Sequence, residues 1–328
     1  MKVIVTSPSF GKFHDHLVED MEGKGCKVLV LIPYSREKML KEIVDADALI
    51  VGLETIDQEI IDSAKQLKVI AKHGVGVDNI DIVAASEKGI AVTNAPGTNN
   101  DAVADLAFCL MLSVARSIPA ANNLVKNQKW GRFDGVSVWG KTLGVVGLGA
   151  IGRGVAQRAS GFNMKVLGYD ISEPSAEDKA LNIERVSLQE LITSSDYISL
   201  HVPLNKYTEG MIGEKQFEMM KSNAILINTA RGGVINEKAL YNALTTNKIR
   251  GCGLDVFEQE PPENHDLVGL SNLVVSPHIG AYTNEAVQLT SQMSADNIYR
   301  LLNNQPLENI MNPVHGDRSL DSAKTHSK

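Results

Sequence analysis

Thr142-Leu143-Gly144-Val145-Val146-Gly147-Leu148-Gly149-Ala150-Ile151-Gly152 decides the fold: an apolar strand runs into three spaced glycines and then into a helical pattern reaching Ser160. Gly147 permits the tight turn off the strand, Gly149 lets a pyrophosphate approach the backbone, and Gly152 allows close helix–strand packing. Free N–H groups at the helix start would meet the anion. A second strand, 165–169, ends at Asp170, 18 residues past Gly152. That is near the ~20 residues expected for the acid that holds the adenine ribose hydroxyls. An acid there favours NAD, because a 2′-phosphate would meet a like charge. Arg153 at the helix start reads as a solvated side chain.

Outward from this loop, short apolar runs recur with room for a helix between them, the pattern of alternating βα units. They fall at 3–6, 28–31, 48–51, 69–71 and 90–93, and again at 142–146, 165–169, 197–200, 224–228, 253–254 and 273–276. Their near-continuous Val, Ile and Leu content suits parallel sheets covered on both faces. Asn94-Ala95-Pro96-Gly97-Thr98-Asn99-Asn100 reads as a linker between the two sets. The next helix, 99–117, is apolar nearly all round, which suits either burial inside one domain or a subunit interface, and it is predicted to pair with a symmetry mate's copy. A last amphipathic helix spans 283–302, and the polar stretch 312–328 reads as disordered.

The 328 residues suit two domains, and 43% apolar with 22% charged residues is an ordinary globular composition. A net charge of −7 is a poor match to phosphate-backbone binding, so no nucleic-acid partner is expected. Cys26, Cys109 and Cys252 form no CxxC pair, which argues against a disulfide framework or a Cys-rich metal site and for a reducing compartment. The start of the chain turns polar too early for a signal peptide, and 104–115 is too short to span a bilayer. A cytoplasmic protein without a membrane partner is expected.

Ligands of open α/β sheets sit beyond the carboxyl ends of the strands. Three segments place chemistry there: Asn228-Thr229-Ala230-Arg231-Gly232-Gly233, then Asp255-Val256-Phe257-Glu258-Gln259-Glu260-Pro261, then Ser276-Pro277-His278-Ile279-Gly280-Ala281. Each polar residue alone has a bland reading as a solvated loop residue. Together they supply a proton carrier, a carboxylate to orient it, and a cation for an anionic substrate.

In this order after the glycine loop, these segments resemble the NAD-dependent D-2-hydroxyacid dehydrogenases over residues 2–307. Lys72-His73-Gly74-Val75-Gly76-Val77-Asp78-Asn79-Ile80-Asp81 resembles that family's substrate loop, with Lys72 where many relatives carry arginine. Through that loop, Asn94–Asn100 and His278-Ile279-Gly280-Ala281, the likeness is greatest to short-form D-3-phosphoglycerate dehydrogenases; the chain is expected to end too soon for the regulatory domain of longer forms.

The resemblance implies that His278 is the general base, Glu260 its orienting carboxylate and Arg231 the binder of the substrate carboxylate. It implies that Gly147, Gly149, Ala150, Ile151, Gly152 and Asp170 hold the dinucleotide, with Val202, Pro203, Thr229, Ala230 and Gly280 lining it. Asp255 would meet the nicotinamide carboxamide. Val75 and Gly76 would offer backbone N–H groups to the substrate, and Asn99 would approach it; no metal is implied. His201 reads as structural, and His73 has no assigned role.

The expected fold is α/β, two doubly wound parallel-sheet domains (Rossmann-like and flavodoxin-like) with a cleft between them. Residues 1–99 with 284–311 would form the substrate domain and 100–283 the NAD-binding domain. The expected reaction is hydride transfer between NAD(H) and a D-2-hydroxy acid, 3-phosphoglycerate being favoured, which would place the enzyme in serine biosynthesis. Rivals are a glyoxylate or hydroxypyruvate reductase, another D-2-hydroxyacid dehydrogenase, or an NAD(H)-sensing corepressor-like binding protein. Family members pair through the dinucleotide domain, so a homodimer is implied.

Overall fold

The structure, a computed structural model, describes residues 1–313. It divides into two compact units, one made of Met1–Asn99 and the described residues from Tyr282 on, the other of Asn100–Ala281.

The first unit holds β1 (Lys2–Val5), β2 (Lys27–Val30), β3 (Ala48–Val51), β4 (Val69–Lys72) and β5 (Ala91–Thr93). They form one all-parallel sheet in the order β2-β1-β3-β4-β5. β3 and β4 are buried at every residue, as expected where helices cover both faces. The helix Asn284–Leu302, capped by the Thr283 side chain accepting from Ala286 N, places Ala295 and Ile298 in the core with Val3, Val5 and Val69.

After that helix the chain returns along the edge of β5. Met311 N donates to Val92 O (2.7 Å), while Asn312 accepts from Val92 N (2.7 Å) and donates to Ile90 O (2.9 Å). These bonds occupy an edge strand that would otherwise expose unpaired peptide groups. Asn312, assigned to a disordered tail by its polar surroundings, is buried. The remainder of that tail, 314–328, lies outside the described residues.

The second unit holds β6 (Thr142–Val146), β7 (Lys165–Tyr169), β8 (Ile183–Arg185), β9 (Tyr197–Leu200), β10 (Ile225–Asn228), β11 (Gly251–Leu254) and β12 (Leu273–Val275). All are parallel, in the order β12-β11-β10-β9-β6-β7-β8. β8 escapes sequence reading because Ile-Glu-Arg carries no apolar run; it is an edge strand supported on one side by β7.

The helix Asn100–Arg116 takes the first of its two readings, burial inside one domain. Ala107, Leu110, Met111 and Val114 are buried in the core of its own domain, with Leu110 and Val114 packed over Gly253. Its remaining face carries exposed Asp101, Asp105, Cys109 and Arg116, and Arg158 pairs with Asp101 and Asp105. Ser117 takes a left-handed conformation (φ 52°), and a second helix, Ile118–Lys126, begins there with Pro119 in its first turn. The first helix ends at Arg116, close to the expected 117, and the missing N–H of Pro119 goes unnoticed in the first turn of the helix that follows. Among the described residues no single helix is long and apolar enough to cross a membrane.

Candidate functional site

Parallel pairing puts the carboxyl ends of β6 to β12 on one edge, and the strand order reverses at β6, between β9 and β7. The glycine loop leaves β6 there. Gly147 has φ 93°, and a Cβ on it would lie 2.5 Å from His201 O. A Cβ on Gly152 would lie 1.9 Å from Gly147 O, so the turn and the helix that follows close only around glycine. Gly149 faces open space, with no atom within 4 Å of its would-be Cβ, and it starts the helix Ala150–Ser160 without a side-chain cap.

Asp170, at the end of β7, accepts from Leu148 N (2.7 Å) and from Ser172 N and Oγ (2.8 Å each). Burial raises its pKa, but these bonds and the charge of Arg185 outweigh it and hold the carboxyl below its ordinary value. Thr229 Oγ1, at the end of β10, is buried without a protein partner. An open glycine, an uncapped helix start, an ionised acid and an orphaned hydroxyl on one edge fit a dinucleotide. Val202 and Pro203 follow β9 on that edge. Arg153 is not solvated: it is bound to Asp178 and Ser175.

The loop after β12 is wrapped around one buried carboxylate. Asp255 accepts from Ser276 Oγ (2.6 Å), Ile279 N (2.9 Å) and Gly280 N (2.8 Å), and its own carbonyl accepts from His278 N (2.8 Å). Burial pushes the Asp255 carboxyl up despite these donors. The bonds hold His278 at φ 52°, a conformation that costs a β-carbon-bearing residue on the order of 1 kcal/mol. His278 Nδ1 lies 2.7 Å from Glu260 Oε2. Burial raises the Glu260 pKa, but the bond and charge of His278, the Phe257 N–H and the charge of Arg231 hold it below the usual carboxylate value. Glu260 therefore accepts from Nδ1–H, and Nε2 is the ring nitrogen left to exchange a proton.

Sequence reading missed what holds Arg231. Asn228, fully buried, accepts from Ala230 N (3.0 Å) and donates to Arg231 O (2.8 Å), fixing the turn. Gly232 lies flat on the next loop, where its Cβ would fall 1.8 Å from Phe257 C. Glu258 N donates to Glu237 (2.7 Å) and Glu237 N to Glu258 (3.0 Å), a reciprocal pair between that next loop and the start of the helix Glu237–Thr245.

In the first unit the loop after β4 carries Val75 and Gly76. Ala95 N donates to Gly74 O (2.9 Å) and buried Asn94 donates to Val75 O (2.7 Å). In a trans peptide the N–H points opposite its carbonyl, so the N–H groups of Val75 and Gly76 face away from residues 94–95. The stretch read as a linker is thus packed, and no local pattern singles out Asn94. Lys72 is 5% exposed and donates to Gly52 O (2.5 Å) and Asn79 Oδ1 (2.7 Å). Asn99 Oδ1 is buried without a protein partner.

His73 ties the loop after β1 to the last helix, through Ser7 Oγ on Nδ1 (3.0 Å) and Ser291 Oγ on Nε2 (2.9 Å). Burial, aided by the charge of Lys72, pushes it down to about 4. Burial pushes His201 down to about 3; its Nε2 meets Ser199 Oγ (2.8 Å) and its Nδ1 has no protein partner. Both rings fold neutral, so unfolding takes up protons below the ordinary value of ~6.5. Stability is expected to fall as pH drops from ~6.5 towards 4, at up to about 1.4 kcal/mol per unit for each ring. Melting temperatures across this range check it. His73→Gln should flatten the decline, and an equally steep decline in that variant would contradict it.

Among the described residues no cluster of His, Cys, Asp and Glu could hold a metal ion. The family model described as D-isomer specific 2-hydroxyacid dehydrogenase, NAD binding domain, matches residues 108–280. A D-3-phosphoglycerate dehydrogenase of Methanocaldococcus jannaschii is 44% identical over 316 residues, covering 95% of this chain and 59% of that protein. The chain therefore spans about 59% of the length of that relative. A glyoxylate reductase of Thermococcus litoralis is 43% identical over 287 residues, covering 84% of this chain and 87% of that one. Among solved structures, the TT0316 protein from Thermus thermophilus superposes with a TM-score of 0.87 at 35% identity, over 95% of this chain and 100% of that one.

Proposed function

The chain belongs to the D-isomer specific 2-hydroxyacid dehydrogenase family, and from that premise we propose that it moves a hydride between NAD(H) and a D-2-hydroxy acid. The observation that carries this reading is the 2.7 Å contact of His278 Nδ1 with Glu260, on the sheet edge that also holds the glycine loop and Arg231. NAD, when bound, supplies the hydride acceptor. His278 Nε2 takes the hydroxyl proton, and Glu260 stabilises the imidazolium that results. Arg231 binds the substrate carboxylate and polarises the developing carbonyl. In the first unit, Val75 and Gly76 offer N–H groups suited to a carboxylate, and Asn99 offers a buried side-chain oxygen without a protein partner. Asp255 acts first by holding the His278 loop, a role the nicotinamide assignment did not include.

The substrate favoured here is 3-phosphoglycerate with its keto acid; glyoxylate and hydroxypyruvate form the second reading, kept because relatives of both names match at nearly equal identity. A panel of D-2-hydroxy acids and 2-keto acids, assayed with NAD(H) and NADP(H), tests both. Turnover of 3-phosphoglycerate supports the first, turnover confined to small keto acids supports the second, and dinucleotide binding without turnover of any member overturns the enzyme reading in favour of a sensor.

The chain acts as a homodimer, but through a surface other than the helix Asn100–Arg116. The segment that follows leaves Ile118, Val125, Phe133, Trp130 (90%) and Trp139 (65%) exposed. An apolar surface of this kind calls for a partner. Trp130→Asp combined with Trp139→Asp is expected to give folded monomers by sedimentation. Leu110→Asp should instead unfold the domain that buries it. A single-chain mass for the unmodified protein would contradict dimerisation.

A further inference from the structure

Beyond β7 lies an ion network that the reaction does not use. Asp178 is 1% exposed. One of its oxygens accepts from Arg153 Nε (3.0 Å); the other accepts from Arg185 Nη1 (2.8 Å) and Ser175 N (3.1 Å). Arg153 also donates to Ser175 Oγ (3.1 Å). Arg185 continues to the backbone of the cofactor loop, donating to Asp170 O (3.1 Å) and Ser172 O (2.5 Å). Ser172 in turn donates to the Asp170 carboxylate, which accepts from Leu148 N in the glycine loop. A continuous chain of bonds therefore runs from Asp178 to the acid expected to hold the adenine ribose.

We infer that Asp178 is a positioning residue for dinucleotide choice: it holds Arg153 and Arg185 so that the Asp170 loop is fixed and neither guanidinium is offered to a 2′-phosphate. The inference rests on the NAD reading given above. Planar guanidinium groups are well suited to phosphate, and two of them beside a ribose site would invite a phosphorylated dinucleotide. With Asp178 in place, Arg153 and Arg185 are balanced by Asp178 and Asp170; exposed Glu177 is a further acid within the field of Arg153. Removing the Asp178 charge leaves the arginines in excess near the ribose. Removing Arg153 instead leaves the acids in excess, so the two changes should act in opposite directions.

Titration of the full-length protein with NADH and NADPH, followed by nicotinamide fluorescence, tests this without turnover. Asp178→Asn is expected to shift the affinity ratio roughly tenfold towards NADPH, the scale of one added charge near a phosphate. Arg153→Gln should shift it towards NADH. Arg185→Gln, which frees the loop carbonyls, should weaken NADH binding without a gain for NADPH. Equal weakening of both dinucleotides in Asp178→Asn and Arg153→Gln would show a purely structural network and overturn the inference. If Asp178→Asn does not fold, Arg153→Gln decides alone: a ratio moved towards NADH supports the inference and an unmoved ratio overturns it. Failure of the unmodified protein to bind NADH would overturn the NAD reading as well, whereas NADH binding with unmoved ratios overturns this inference only.

Discussion

Replacing His278 with glutamine is expected to lower kcat by roughly 10²–10⁴, the range for losing a general acid–base. The ring's Nδ1 faces Glu260 at 2.7 Å, which leaves Nε2 for the substrate, and a glutamine amide cannot move a proton from there. NADH binding should survive, because the glycine loop and Asp170 lie on other strands. Glu260→Gln should act differently. It removes the partner of the imidazolium, so oxidation should reach its active, unprotonated form at lower pH and reduction should lose its protonated form sooner. Steady-state kinetics across pH, in both directions, check the pair. Near-normal turnover in His278→Gln, or an unmoved profile in Glu260→Gln, would remove the corresponding residue from the mechanism.

A single methyl group on Gly232 should be nearly as damaging. Its Cβ would fall 1.8 Å from Phe257 C, 2.0 Å from Phe257 O and 2.3 Å from Glu258 N, all backbone atoms that cannot rotate away. Gly232→Ala must therefore separate the loop carrying Arg231 from the loop leading to Glu260. The strain of such overpacking is about 1–3 kcal/mol, which should appear as a lower melting temperature. Displacing a binding group by about 1 Å can cost roughly 10²-fold in rate, so kcat/KM should fall on that scale. Measured at a temperature where circular dichroism shows the variant folded, unchanged kcat/KM would mean that the two loops need no fixed spacing.

Gly147, Gly149 and Gly152 show why much of this protein is legible without coordinates. A strand that turns into a helix with a pyrophosphate-sized gap needs glycine at fixed offsets, and neighbouring residues alone set that requirement. The same holds for β3, β4, β9 and β10, whose continuous burial in parallel sheets is written as short runs made mostly of apolar residues. β8 was not legible, because an edge strand with one apolar residue owes its shape to β7 rather than to its own pattern.

Other features were decided by tertiary structure alone. Asn94 ties back Val75 across 19 positions, Asp178 gathers Arg153 from 25 positions away, and Gly232 is compressed against Phe257. The helix Asn100–Arg116 looked apolar on every face, yet its apolar side chains are covered by β10, β11 and the helix Ala150–Ser160 of its own domain. Periodicity and turn chemistry are local, and a sequence records them directly. Which buried polar atom meets which donor, and which apolar face meets which sheet, depends on segments brought together only when the chain folds.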